Sequence, residues 1–324
     1  MSPPEYSLLF KHVLDVGQAQ FCSFSCDLFI SAFNPSERVS SVWAKVRATE
    51  KHWLIHNEYG YSATELPTGL TFTDTSANEA DFVLAYLDWV NSRGAVLERC
   101  SICVDITGFM RPHLLFLVSE FERRGVKRFD ALYSEPVRYL DREETVFAVG
   151  AVSVVRQVAS FEGVASRDSS NDLLIIGAGY DHQLISEVAE HKERAAKIQL
   201  FGLPSLRADM YQENVLRAYR AEESLGEAQD AASTKYFAPA NDPFVTASIL
   251  SEIVRRRDGI KKITNLYLSP LATKPQALGF ALFYIGECRR RAASMLFPYS
   301  PRYSKETSVG LMRCWRYEVE FPLA

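Results

Sequence analysis

Two short segments of the chain pair a lone cation with a helix start. From Cys103 to Pro112, and again from Leu266 to Pro275, an apolar strand runs into a loop, then a basic residue (Arg111, Lys274), then a proline. Proline suits the first turn of a helix, where its missing N–H would lack an intrahelical partner anyway. The free N–H groups and partial positive charge of a helix start attract anions. A guanidinium or ammonium beside them makes a phosphate or carboxylate clamp. Thr107 and Thr273 add hydroxyl donors, and Gly108 lets a backbone approach closely. Asp105, at the strand end, has three readings open to it: orienting Arg111, accepting a ribose hydroxyl, or capping the loop.

Other loops have the same predicted placement, including residues 34–36 and 177–181. Gly177 and Gly179 begin like a dinucleotide fingerprint, but His182 takes the third glycine position. The next strand ends at Phe201 and Gly202 without the acidic residue that holds a ribose. No nicotinamide site, and no resident cofactor, is expected. Tyr180 and Asp181 offer a phenol and a carboxylate, with nothing to mark them as an acid–base pair. Two corners, Tyr133 to Tyr139 and Tyr299 to Tyr303, carry Arg138 and Arg302. Their rings either stack on a base beside an arginine-bound phosphate or anchor an ordered turn. The chain lacks a P-loop, a nucleophile elbow, an HExxH helix and the kinase motif set. Cys22, Cys26, Cys100 and Cys103 could supply four thiolates, yet no turn residues separate them as zinc knuckles require. They read as small buried hydrophobes, the six histidines show no ligand spacing, and no metal site is expected.

The elements that must position these loops come in two copies. Asp27 to Asn34 reads as a buried strand and turn, followed by a helix through Val39, Trp43 and Val46 and a strand at His52 to His56. Asp172 to Gly179, the helix through Leu184, Ile185 and Val188, and the strand from Lys197 to Phe201 repeat that pattern 145 positions later. The Arg111 and Lys274 segments repeat at 163, so the second copy carries about eighteen extra residues. Each copy then closes with alternating apolar strands, near Val146 to Val155 and Val309 to Val319. The predicted fold is α/β: two tandem Rossmann-like halves, mostly parallel, with antiparallel strands at the end of each. The halves span 1–160 and 172–324, joined by a polar linker at 161–171. A helical insertion falls near 207–240, either a solvated surface helix or a lid.

Composition narrows the classes. At 324 residues, 47% hydrophobic and 23% charged, the chain is ordinary globular material. A net charge of −4 gives no broad nucleic-acid or anionic-membrane surface, so any anion site is local. The longest apolar helix candidate, Gln276 to Gly286, is about half the length of a membrane span. The opening residues lack a signal-peptide pattern, and a cytoplasmic protein is expected.

The loop from Asp105 to Arg111 resembles the signature of CARF domains, Rossmann-like sensors of cyclic oligoadenylate in CRISPR-linked defence. That signature reads Asp or Asn, any residue, Ser or Thr, three residues, then Lys or Arg. In the second half Lys274 matches, while Leu268 and Pro270 replace the acidic and hydroxyl residues. The resemblance implies anion-lined pockets at a pseudo-twofold interface, with Thr107, Arg111 and Lys274 gripping nucleotide phosphates. CARF proteins usually carry a nuclease or DNA-binding domain, and no third domain fits here, so a stand-alone sensor or a ring nuclease is implied. The leading expectation is a sensor or regulator of a nucleotide-like or phosphorylated ligand, in anti-phage defence. The alternatives are an enzyme acting on a phosphoester or sugar phosphate, or a scaffold subunit. Protein partners or a homodimer fit any of these.

Overall fold

The computed structural model describes residues 4–14, 25–76, 78–139, 154–179, 181–206, 234–300, 302–303 and 308–321. The chain forms two compact units, each made of two segments. The N-terminal unit comprises Leu9–Val149 with Arg302–Ala324, and the C-terminal unit comprises Met1–Leu8 with Gly150–Pro301.

In the N-terminal unit five strands run parallel: β2 (Ser25–Ala32), β3 (Arg47–Ile55), β4 (Leu70–Thr73), β5 (Ile102–Asp105) and β6 (Arg128–Glu135). Their order across the sheet is β4-β3-β2-β5-β6. Phe29, Ile30, Cys103 and Val104 are fully buried, as expected of parallel strands covered on both faces. Helix α1 (Glu37–Lys45) links β2 to β3, α2 (Glu79–Ser92) links β4 to β5, and α3 (Arg111–Arg123) links β5 to β6. Helix α3 is buried from Pro112 to Phe121, so it forms core on nearly every side.

The C-terminal unit repeats the plan. Strands β9 (Leu173–Gly177), β10 (Ala196–Gly202), β11 (Lys235–Ala238), β12 (Leu266–Pro270) and β13 (Ala293–Tyr299) are parallel, in the order β11-β10-β9-β12-β13. Helices α4 (His182–His191), α5 (Pro243–Ile260) and α6 (Lys274–Phe283) connect them, and α6 continues into a π-helical turn at Tyr284–Cys288. Both units therefore have the 3-2-1-4-5 order of a doubly wound sheet. Among the described residues no helix is long and apolar enough to cross a membrane.

The closing strands differ from the tandem expectation, because each sits in the other copy's sheet. Strand β15 (Arg313–Glu320) lies antiparallel on β6, and β1 (Lys11–Leu14) lies on β15. Strand β8 (Val154–Gln157) lies antiparallel on β13. Tyr317 and Val319 are buried on one face of β15 and Cys314 on the other. Its other residues are matched to β6: Arg316 donates to Asp130 at 2.9 and 3.2 Å, and the Trp315 indole donates to Glu135 at 2.7 Å. Apolar alternation marks a strand that closes a sheet edge, but these polar pairs choose the edge. The division into 1–160 and 172–324 is corrected accordingly.

Nor is 161–171 a free linker. Phe161 is fully buried, its carbonyl accepts from Met295 N at 2.9 Å, and Ser166 N donates to Asn265 Oδ1 at 2.7 Å. Of the insertion expected near 207–240, residues 207–233 lie outside the described residues, and Lys235–Ala238 is strand, not helix. Part of the closing strand expected near Val146 also lies outside them, as does Cys22.

The copies share one tight contact. A Cβ on Gly108 would stand 2.1 Å from the carbonyl oxygen of Ala32, where the loop after β5 meets the loop after β2. A Cβ on Gly179 would stand 2.2 Å from that of Leu271, where the same two loops meet in the other unit. The glycine sits on opposite loops, but the close approach is the same. Gly108→Ala is expected to lower unfolding free energy by about 1–3 kcal/mol, because backbone must move to admit the methyl group. Gly259→Ala, in open space within α5, is expected to raise it by about 0.5–1 kcal/mol. Denaturant melts of both variants check this, and an unchanged midpoint for Gly108→Ala would contradict it.

Candidate functional site

In a 3-2-1-4-5 sheet the connections of the two central strands leave toward opposite faces, which opens a crevice at their carboxyl ends. In the N-terminal unit that point lies between β2 and β5. The loop after β2 folds on itself, with Asn34 Oδ1 accepting from Ser36 N at 3.0 Å, and α1 begins. Ser36 is its N-cap residue but gives no side-chain cap bond. The Ser36 Oγ is buried with no hydrogen-bond partner among the described residues. Helix α3 starts after Met110, which has no polar group to cap with.

The helices at the matching point of the C-terminal unit are closed by their own side chains. Asp181 Oδ1 accepts from Gln183 N and Leu184 N at the start of α4, and Thr273 Oγ1 accepts from Gln276 N at the start of α6. A carboxylate there already satisfies the helix start and repels an incoming anion. The pair of loops is shared by both units, whereas the open helix starts belong to the N-terminal one.

Each open start carries an arginine. Arg111 is the first residue of α3, and Arg38 follows Glu37 at the start of α1. Arg38 donates to the Ser134 carbonyl at 3.1 Å, while Ser134 N donates to Thr107 Oγ1 at 3.0 Å. Tyr59, half-buried in the 3-10 turn Asn57–Tyr59, donates to the Gly108 carbonyl at 3.4 Å. Burial pushes its phenol up to about 12, while the nearby Arg111 and Arg38 pull it down, so both cations bear on this ring. The same turn holds Glu58, whose carbonyl accepts from Tyr303 N at 3.1 Å. The Glu58 carboxylate stands 3.7 Å from His113 Nε2, and the His56 and His113 rings are 4.3 Å apart.

The structure sorts the sequence candidates as follows. Asp105 is fully buried and faces inward, accepting from Ser31 Oγ and Thr107 N, both at 3.1 Å. Of its three readings, loop capping is the one its contacts display. Thr107 is likewise buried with its hydroxyl engaged, so this pair forms the frame of the loop. Arg111 is half-buried at the edge. Gly177 and Gly179 pack against the Phe280 ring and the Leu271 carbonyl, and Thr273 also donates to the Ala240 carbonyl. Lys274 opens α6 in the C-terminal unit. Arg138, on a short ribbon β7 (Arg138–Tyr139) paired with β14 (Ser308–Val309), and Arg302 are exposed in the N-terminal unit. Tyr180 lies outside the described residues.

Sequence reasoning missed Arg38, Tyr59 and the group of His56, Glu58 and His113. Arg38 had a signal: it stands at the helix start after β2, as Arg111 does after β5. The two histidines had none, being 57 positions apart.

No family model and no curated protein matches the chain. Among solved structures it is similar to a chain described as CobK precorrin-6A reductase, at 10% identity over 86% of this chain and 91% of that one, with a TM-score of 0.23. That likeness is too loose to carry a functional argument.

Asp105 gives the frame a pH signature. Burial raises its carboxyl from 3.8 to about 6, against the opposing pull of the bonds from Thr107 and Ser31. Between these values the native state holds a proton that the unfolded chain has released, so stability falls as pH rises through the window and is level above it. Asp105→Asn keeps both a donor and an acceptor at the site and removes the titration. The stability of wild type relative to this variant is expected to fall by about 2–3 kcal/mol between pH 4 and pH 7. Urea melts across that range check it, and a constant difference would contradict it.

Proposed function

We propose that the N-terminal unit binds a nucleotide-like or other phosphorylated small molecule at the carboxyl edge of its sheet, and that the protein acts as a cytoplasmic sensor or regulator. The observation that carries this reading is the pair of uncapped helix starts, α1 and α3, flanking the β2–β5 switch point with one arginine each. A phosphate there accepts from backbone N–H groups and from two guanidinium groups, the strongest class of hydrogen bond proteins make to it. The buried Ser36 hydroxyl offers a further donor. Half-buried rings of Phe33, Tyr59 and Tyr61 stand near one another beside the same loops, which suits stacking on a base.

The resemblance of the Asp105–Arg111 loop to CARF domains extends the proposal to anti-phage defence, with Arg111 in the phosphate-gripping role. Asp105 and Thr107 support that role indirectly, by fixing where α3 begins.

Native mass spectrometry of the purified protein tests whether a nucleotide co-purifies. Titration calorimetry with adenosine monophosphate and with inorganic phosphate then locates the site. Arg38→Ala and Arg111→Ala are each expected to weaken binding by about 10- to 100-fold, the worth of one charge-assisted contact. Unaltered affinity in both variants, or an equal loss from Lys274→Ala, would contradict the assignment.

A further inference from the structure

Beside the arginines, the N-terminal unit gathers two imidazoles and a carboxylate. One ligand atom from each of His56, Glu58 and His113 lies within 4.8 Å of the other two. The side chains come from two places in the fold, the loop after β3 and the start of α3. His56 directly follows β3, Glu58 lies in the turn clamped through its carbonyl by Tyr303 N, and His113 is in the first turn of α3. His56 is 0% and His113 3% exposed. The His56 ring centroid lies 5.3 Å from Phe82 and 5.6 Å from Phe109, and that of His113 lies 5.3 Å from Phe82.

The spacing of one pair is near that of two ligands on a shared ion. Glu58 Oε1 to His113 Nε2 is 3.7 Å, beyond the about 2.7–3.2 Å of a hydrogen bond. Ligands of a tetrahedral ion with bonds of about 2.0–2.1 Å stand about 3.4 Å apart. That pair needs only a small contraction to hold an ion, and the wider separations in the group, up to 4.8 Å, need a larger one. Two histidines and one glutamate form a donor set that leaves a fourth position for water or a ligand oxygen.

We propose that His56, Glu58 and His113 bind one divalent transition ion of the zinc class. The site does not depend on the anion reading, since none of its three ligands is a residue assigned to grip phosphate.

The test uses the full chain, stripped with a chelator and dialysed against zinc. Elemental analysis is expected to find about one ion per chain, and cobalt in its place is expected to give the visible absorption of a tetrahedral site. His56→Ala and His113→Ala are each expected to weaken zinc binding by about 100-fold or more, and Glu58→Gln by about 10-fold. His12→Ala and His191→Ala, at histidines away from the cluster, should leave it unchanged. His113→Gln, with circular dichroism to verify folding, replaces the alanine variant where truncation of the buried ring unfolds the unit. No bound zinc in the wild type, or full affinity in folded variants at both positions 56 and 113, would overturn the proposal.

Discussion

At the carboxyl edge of the N-terminal sheet two loops meet backbone to backbone, with the Ala32 carbonyl where a side chain at residue 108 would be. That approach sets the rest of the edge. It holds the loop after β5 against β2, so that Asp105 lies buried beneath it and accepts from both strands' ends. Thr107 takes the amide of Ser134, whose carbonyl in turn takes Arg38. One continuous set of hydrogen bonds thus runs from the buried carboxyl to a cation at the rim. The residues most visible as a motif act on this frame, and the residues that face outward are their neighbours.

The two units show how one architecture ends in different chemistry. Both have the same strand order and the same loop-to-loop contact. In the C-terminal unit Asp181 and Thr273 satisfy the helix starts internally, which stabilises the edge and closes it to anions. In the N-terminal unit Ser36 and Met110 give no side-chain cap, and Arg38 and Arg111 add positive charge there, beside the acidic Glu37 at the start of α1. A helix start without a cap sacrifices roughly 1 kcal/mol of stability, a cost consistent with a site kept for a ligand.

Much of this was legible in the sequence. The apolar runs of β2, β5, β9 and β12, each followed by a loop and a helix, pointed to parallel sheets, because only strands covered on both faces are so uniformly apolar. The prolines at 112 and 275 located two helix starts to within a residue. The exchange of closing strands was not legible. An alternating strand announces a half-covered edge, while its partner is fixed by pairs such as Asp130 with Arg316, 186 positions apart. The inward aim of Asp105 was hidden for the same reason, since Ser31 and Ser134 reach it or its neighbour only after the sheet has formed. His56 and His113 meet because β3 and α3 end and begin at one edge, and no local spacing encodes that.

The central claim is that anions bind at the starts of α1 and α3. Amide chemical-shift mapping of the isotope-labelled full chain, titrated with adenosine monophosphate, tests it most directly. Saturable shifts are expected, concentrated at the amides of residues 36–39, 111, 113 and 114. Shifts concentrated instead at residues 182–185, 274, 276 and 277, or none at saturating nucleotide, would contradict it.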